Sequence, residues 1–402
     1  MARPDLVLKF GGTSMADPQR IAHSAGIVAH EAASGRGVAV VVSAMSGETD
    51  RLLREAAALG GALGEAETDA ALAAGEQASS ALMALALKQR GHDARAFAAW
   101  QIPIEVDGVH GAARVTAIDP APLRAAIAAG VIPVIAGYQG VTPDGRIATL
   151  GRGGTDLTAA AVAAALGAEC DIYTDVDGVF TTDPRIAPEA RRLDRVSADE
   201  MLELAAMGAK VLQTRSVEYA KAKGVVLRVK SSFAEPGQSR GTEVAPVDVA
   251  ERRIVSGVAY VRDQARLSLC GLEPYEGAAE VFASLAEAEI GIDMIVQTGG
   301  SASGARLEFS VDQRDLERAG SALNALGVAR EQETGLAKVS VVGSGLRGRA
   351  DVARTLYGVL ARERVAVRMV ATSEIKISAL VDSDVLERAV RALHAAYKLN
   401  ET

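Results

Sequence analysis

Five segments gather residue types that handle an anionic ligand. Over 6–14 the chain reads LVLKFGGTS. An apolar run ends in Lys9, Gly11 and Gly12 can turn tightly, and Thr13 and Ser14 open toward the next element. Glycine lets backbone approach an anion, and hydroxyls beside the N–H groups of a helix start can hold phosphate; the same residues also make an ordinary turn. Over 38–50, VAVVVSAMSGETD brings Ser43 to the end of an apolar strand and Thr49 to a helix start, where capping is an equal reading. Glu76, in AGEQ on a long apolar helix, could face an ammonium group or simply favour the helix dipole. Gly151-Arg152-Gly153-Gly154-Thr155-Asp156 is the most specific stretch, following a hairpin and opening a helix. Arg152 can grip a carboxylate through two hydrogen bonds, the glycines admit a ligand, and Asp156 can orient lysines. Over 172–185, IYTDVDGVFTTDPR sets Thr174 and Asp175 at a strand end and Asp177, Asp183 and Arg185 in a turn-rich loop. Those carboxylates suit a ribose or a metal, although Asp-Gly and Asp-Pro are also turn formers. Lys210, in MGAKVL, is a further candidate phosphate cation or a solvated surface lysine.

Several familiar chemistries are missing. No Gly-Lys dipeptide exists, so there is no Walker A loop, and neither HRD nor DFG occurs. The five histidines show no zinc spacing, and no metal ligand set is expected from the sequence. Gly343-Ser344-Gly345-Leu346-Arg347-Gly348 satisfies GxGxxG. It sits inside a repeated small module, however, which makes a dinucleotide fold a poor reading. Only 14 of 402 residues are aromatic and the net charge is −8, which argues against base-stacking modules and nucleic-acid partners. Cys170 and Cys270 are too few for a disulfide framework and read as buried thiols of a reducing cytoplasm. The start MARPDLVLKFGG lacks a long apolar stretch, and no uncharged apolar run of about 18 residues is present. The expectation is a soluble cytoplasmic chain with no membrane partner.

The elements that must position these residues alternate. Strands are expected over 6–10, 38–43, 131–136, 171–175 and 225–230, and helices over 18–33, 48–59, 68–89, 156–166 and 198–223. A hairpin over 141–150 turns on Pro143-Asp144-Gly145. This reads as an α/β domain with a mainly parallel central sheet over 1–233, then a Pro- and Gly-rich linker over 234–250. Residues 251–402 repeat a strand–helix–strand–strand–helix order, with modules at about 262–334 and 335–402. Gly271 aligns with Gly343 and Met294 with Met369.

Taken together, KFGGTS, VVSAMSGETD, AGEQ, GYQGV, GRGGTD, YTDVDGVFTTDPR, GAKVL and RSVEYA resemble the aspartokinase family over nearly the whole chain. The resemblance implies an amino-acid-kinase-like α/β catalytic domain followed by two small βαββα modules of the ACT type, which are ferredoxin-like. It implies phosphorylation of the β-carboxylate of L-aspartate by ATP with Mg²⁺, the entry step to lysine, threonine and methionine biosynthesis. By motif, Lys9 and Lys210 would neutralise the transferring phosphoryl group, and Asp156 would hold the lysines. Ser43, Thr49, Glu76, Arg152, Gly153, Gly154 and Thr155 would bind aspartate. Lys9, Gly11, Gly12, Thr13, Thr174, Asp175, Phe180, Arg185, Lys210 and Val211 would bind the nucleotide. A carboxylate is already ionised at neutral pH, so this chemistry needs no general base.

The resemblance also implies an effector site for lysine or threonine near Gln297, Thr372, Ser373, Glu374 and Ile375. Its loops depart from the family: residues 273–277 read EPYEG and 347–351 read RGRAD. Altered feedback is therefore expected, in a homo-oligomer. No Met lies between Met207 and Met294, which rules out an AUG start for a separate subunit within the linker. Three other readings stay open: a kinase of the same fold acting on another acid, a non-catalytic amino-acid sensor, and a dehydrogenase resting on the GxGxxG alone. Lys9, Arg152, Asp156 and Lys210 argue against the sensor.

Overall fold

The computed structural model describes residues 5–205, 211–245, 254–273, 275–301, 304–324 and 326–401. The chain divides into two units. The first holds the described residues to Val179, those from Arg192 to 205, and 211–245; the second holds Phe180–Arg191 and the described residues from 254 onward.

Strands of the first unit begin with β1 (Leu6–Phe10), β2 (Val38–Val42), β3 (Ala94–Phe97), β4 (Ile104–Val106), β5 (Val115–Ile118) and β6 (Ile132–Ala136). They continue with β7 (Gln139–Val141), β8 (Ile147–Thr149), β9 (Glu169–Thr174), β10 (Arg195–Ser197), β11 (Leu227–Ser231) and β12 (Thr242–Ala245). Its helices are α1 (Pro18–Ala32), α2 (Glu48–Ala58), α3 (Ala66–Gln89), α4 (Ala121–Ala128), α5 (Gly154–Leu166), α6 (Ala198–Leu204) and α7 (Thr214–Lys223).

Eight strands form the central sheet in the order β10-β12-β11-β9-β1-β2-β6-β3, parallel except for the β11–β12 pair. β1, β2 and β6 are buried along their whole length, as continuous apolar strands covered on both faces should be. β4, β5, β7 and β8 make a second, four-stranded sheet. The single helix expected over 198–223 is two: α6 starts with a Ser197–Glu200 capping box, and a new helix begins after Gln213. β12 falls inside the segment read as linker and joins the main sheet instead. Among the described residues α3 is long and apolar enough to cross a membrane by length and composition. It buries the carboxylates of Asp69 and Glu76 within this unit.

The second unit has β13 (Gly257–Leu272), β14 (Ile292–Ser301), β15 (Gly304–Asp312), β16 (Ala329–Val342), β17 (Met369–Thr372) and β18 (Lys376–Asp382). Its helices are α8 (Gly277–Glu287), α9 (Leu316–Asn324), α10 (Ala350–Arg362) and α11 (Leu386–Ala396). β13 and β16 are long and pair from Gly257↔Val342 to Cys270↔Ala329. β15 pairs with the later part of β13, β18 with the later part of β16. One module is therefore nested in the other: Val255 and Val258 pack with α10 and α11, whereas Ala265, Leu267 and Leu269 pack with α8 and α9. Divisions at 262 and 335 fall inside β13 and β16. The aligned methionines Met294 and Met369 meet in one buried cluster with Leu336 and Leu380.

Residues 180–191 are built into this unit as well. Ile186 joins its core, Thr181 and His394 share a 2.8 Å hydrogen bond, and the Tyr260 hydroxyl donates to Asp183 at 2.8 Å.

Candidate active site

In a largely parallel sheet, ligands collect beyond the carboxyl ends of the strands. The ends of β1, β2 and β9 and the β6–β7 connection deliver Lys9, Ser43, Thr174 and Tyr138 to one cavity of about 500 Å³ in the first unit. The short turn Gly12–Met15, the start of α2, Glu76 of α3 and the first turn of α5 complete it.

Two charges dominate its wall. Lys9 Nζ lies 2.6 Å from Asp156 Oδ1, with both side chains about nine-tenths buried. Gly11 makes room for this ammonium: a Cβ there would stand 3.2 Å from Lys9 Nζ. Gly153, which starts α5, has φ +74°, and a Cβ would fall 2.2 Å from Gln213 Cγ. That position requires glycine for both conformation and space.

Glu76 forms a second pole. Gly75 lets α3 approach closely, since a Cβ there would sit 2.9 Å from that of Ala44. Glu76 Oε1 consequently accepts the Ala44 N–H at 3.0 Å. Oε2 is buried with no hydrogen-bond partner. Desolvation pushes this carboxyl up to about 7, only partly opposed by the Ala44 N–H. A buried carboxylate oxygen that lacks a donor, facing a cavity, suits a cationic group.

The cavity thus brings together Lys9, Gly11, Gly12, Thr13, Ser43, Thr49, Glu76, Gly153, Gly154, Thr155, Asp156, Thr174 and Asp175. It does not include four other expected residues. Neither the exposed Arg152 nor the half-buried Val211 lines it. Phe180 and Arg185 group with the second unit, where Arg185 pairs with Asp183 at 2.7 Å and holds that carboxyl down at about 2. Lys210 lies outside the described residues.

Tyr138 and Gln213 line the cavity without having been singled out. Tyr138 takes φ +70°, which is strained for a side-chain-bearing residue. Its N–H donates to Thr158 Oγ1 at 3.1 Å and its carbonyl accepts from Leu150 N at 2.8 Å. The available signal was its place in GYQGV, between a strand end and a hairpin.

The amino acid kinase family model matches residues 6–231, and an ACT domain model matches residues 339–397. An aspartokinase of Geobacillus stearothermophilus is 44% identical over 400 residues, covering 98% of each chain. The chain belongs to the aspartokinase family. An aspartokinase of Pseudomonas aeruginosa is 43% identical, again over 98% of both chains. Among solved structures, E. coli aspartokinase III in complex with aspartate and ADP superposes with a TM-score of 0.79 at 29% identity, covering 98% of this chain and 99% of that one. The family's α/β architecture and its ACT region match the two units described above.

Glu76 gives a stability prediction. The native state keeps its proton up to about pH 7, while the unfolded chain loses it near 4.5. Its protonated form therefore favours folding at acid pH, and that stability is lost as pH rises from 4.5 through 7. Above that range the ionised group costs on the order of 3 kcal/mol at most. Glu76→Gln should raise the thermal midpoint of the ligand-free protein at about pH 8 and change little at about pH 4.5. Equal midpoints at the higher pH would show that Glu76 is not held in a desolvated seat.

Proposed function

We propose that the chain transfers the γ-phosphoryl group of ATP to the β-carboxylate of L-aspartate, giving 4-phospho-L-aspartate and ADP. The observation that carries this reading is one cavity holding the Lys9–Asp156 pair and the unpartnered oxygen of Glu76. Full-length likeness to aspartokinases supports it, as does the aspartate and ADP complex of the E. coli enzyme.

A β-carboxylate oxygen attacks the γ-phosphorus while the bond to the β,γ-bridging oxygen breaks and its electron pair leaves with ADP. The nucleophile is already anionic, so the protein must position it and neutralise charge. Lys9 meets the transferring group, and Asp156 fixes its ammonium. Lys210 is the proposed second cation. Glu76 receives the substrate ammonium, and Arg152, beside the cavity-lining Gly153, the α-carboxylate. Gly11, Gly12 and Thr13 border the phosphates; Thr174, Asp175 and Val211 extend the nucleotide path. Mg²⁺ screens phosphate charge when bound. Asp175, an exposed carboxylate lining the cavity, would help hold the ion.

The proposed setting is a cytoplasmic homo-oligomer, with the first unit catalytic and the second regulatory. Lysine or threonine is the proposed effector, at Gln297 of β14 and residues 372–375 at the end of β17. There Ser373 Oγ accepts Lys376 N at 3.1 Å and Glu374 pairs with Arg347 at 3.1 Å. The altered loops satisfy themselves: Glu273 accepts the Tyr275 N–H at 2.8 Å, and Arg349 pairs with Asp351 at 2.8 Å.

ATP-dependent acyl phosphate, trapped with hydroxylamine, tests the reaction across aspartate, glutamate, N-acetylglutamate and no acid. Product with aspartate is expected, and none with any acid would refute the proposal. Adding lysine, threonine or both to this assay should inhibit weakly; strong inhibition at low concentration would contradict altered feedback.

A further inference from the structure

Asp69 takes no part in the chemistry above, yet its carboxylate is fully buried and fully used. Oδ1 accepts the Thr149 hydroxyl at 2.6 Å. Oδ2 accepts Thr149 N–H at 2.9 Å, Gly111 N–H at 2.9 Å and His110 Nδ1–H at 3.0 Å. Three donors converge on Oδ2 and one on Oδ1, so both oxygens of the carboxylate are engaged. An amide at this position would point an NH₂ group at donors, and an apolar side chain would strand all four.

The position explains the investment. Asp69 and Glu76 are seven residues apart on α3, two turns, so they share a face about 10 Å apart on one rigid rod. Thr149 ends β8, and the chain then runs through Leu150 and Gly151 to Arg152 and the first turn of α5. Asp69 therefore ties the element carrying Glu76 to the strand that leads into the GRGGTD loop. Leu150 is itself held on both sides: its N–H donates to the Tyr138 carbonyl at 2.8 Å, and its carbonyl accepts from Arg215.

We propose that Asp69 is a positioning residue for the amino-acid substrate, setting the spacing between Glu76 and the loop bearing Arg152 and Thr155 through its hydrogen bonds to Thr149, Gly111 and His110. The inference rests on the aspartate-kinase reading. It separates the two substrates: the amino acid is gripped from α3 and the GRGGTD loop, whereas the nucleotide lies toward β1 and β9.

The test uses the full chain. Asp69→Asn should raise KM for aspartate at least about tenfold, with KM for ATP and kcat each moving by less than about threefold. Thr149→Val should do the same in smaller measure, and Thr149→Ser, which restores the hydroxyl, should return KM for aspartate close to wild type. A folded Asp69→Asn with unchanged KM for aspartate, or with both KM values raised alike, overturns the proposal. If Asp69→Asn does not fold, the Thr149 pair decides, and equal behaviour of Val and Ser overturns it. An activity-free reading separates this from the parent proposal. Asp69→Asn should loosen and hydrate Glu76, shrinking the stability difference between about pH 5 and about pH 8. An unchanged difference counts against Asp69 even if wild type makes no acyl phosphate, an outcome that by itself refutes only the aspartate-kinase reading.

Discussion

A lysine ammonium and an aspartate carboxylate, 2.6 Å apart and about nine-tenths buried, set the terms for the first unit. A buried ion pair is a poor source of stability, because desolvating both charges offsets most of their attraction. Its value here is placement. Lys9 comes from β1, at the middle of the sheet and paired on both sides by β2 and β9. Asp156 comes from the first turn of α5, whose alanine-rich body is buried almost throughout. Both backbones are held by the core, so in the proposed reaction the cation needs no reorganisation as charge develops.

The rest of the site is bent around that pair, at a cost in local comfort. Tyr138 is held at positive φ, Gly153 at a conformation and spacing no other residue tolerates, and Glu76 in a seat that resists ionisation. The strain at Tyr138 and the desolvation of Glu76 weaken the ligand-free fold, and all three residues face the same cavity. Such concentration of strain and desolvation is expected where a site is preorganised for a charged ligand. An ammonium beside Glu76 would relieve its desolvation and favour the ionised form.

Much of this was legible in the chain. The all-apolar runs of β1, β2 and β6 announce a parallel sheet, and the residues after them announce its ligand edge. The arrival of Lys9 and Ser43 at that edge follows from the pattern, whereas Glu76 and Asp156 reach the cavity from helices, where motif likeness was the signal. Other features depend on contacts that local patterning does not carry. No motif marks Asp69; only its four long-range donors reveal its use. Phe180 and Arg185 read as part of a loop on the nucleotide path, but Thr181 between them finds its partners in β13 and, 213 positions away, in α11. Two modules in series were the natural reading of the duplication. A strand as long as β13 serves both, and nesting comes from its register with β16, which no repeat alignment displays.

The most direct test of the central claim is a double-mutant cycle on Lys9 and Asp156, read by the rate of acyl-phosphate formation at saturating substrates. Lys9→Ala should lower turnover by at least about 100-fold. Adding Asp156→Asn to it should lower turnover little further, because a carboxylate whose role is to hold the lysine has nothing left to hold. Near-normal turnover of Lys9→Ala, or losses that simply multiply in the double variant, would contradict the account.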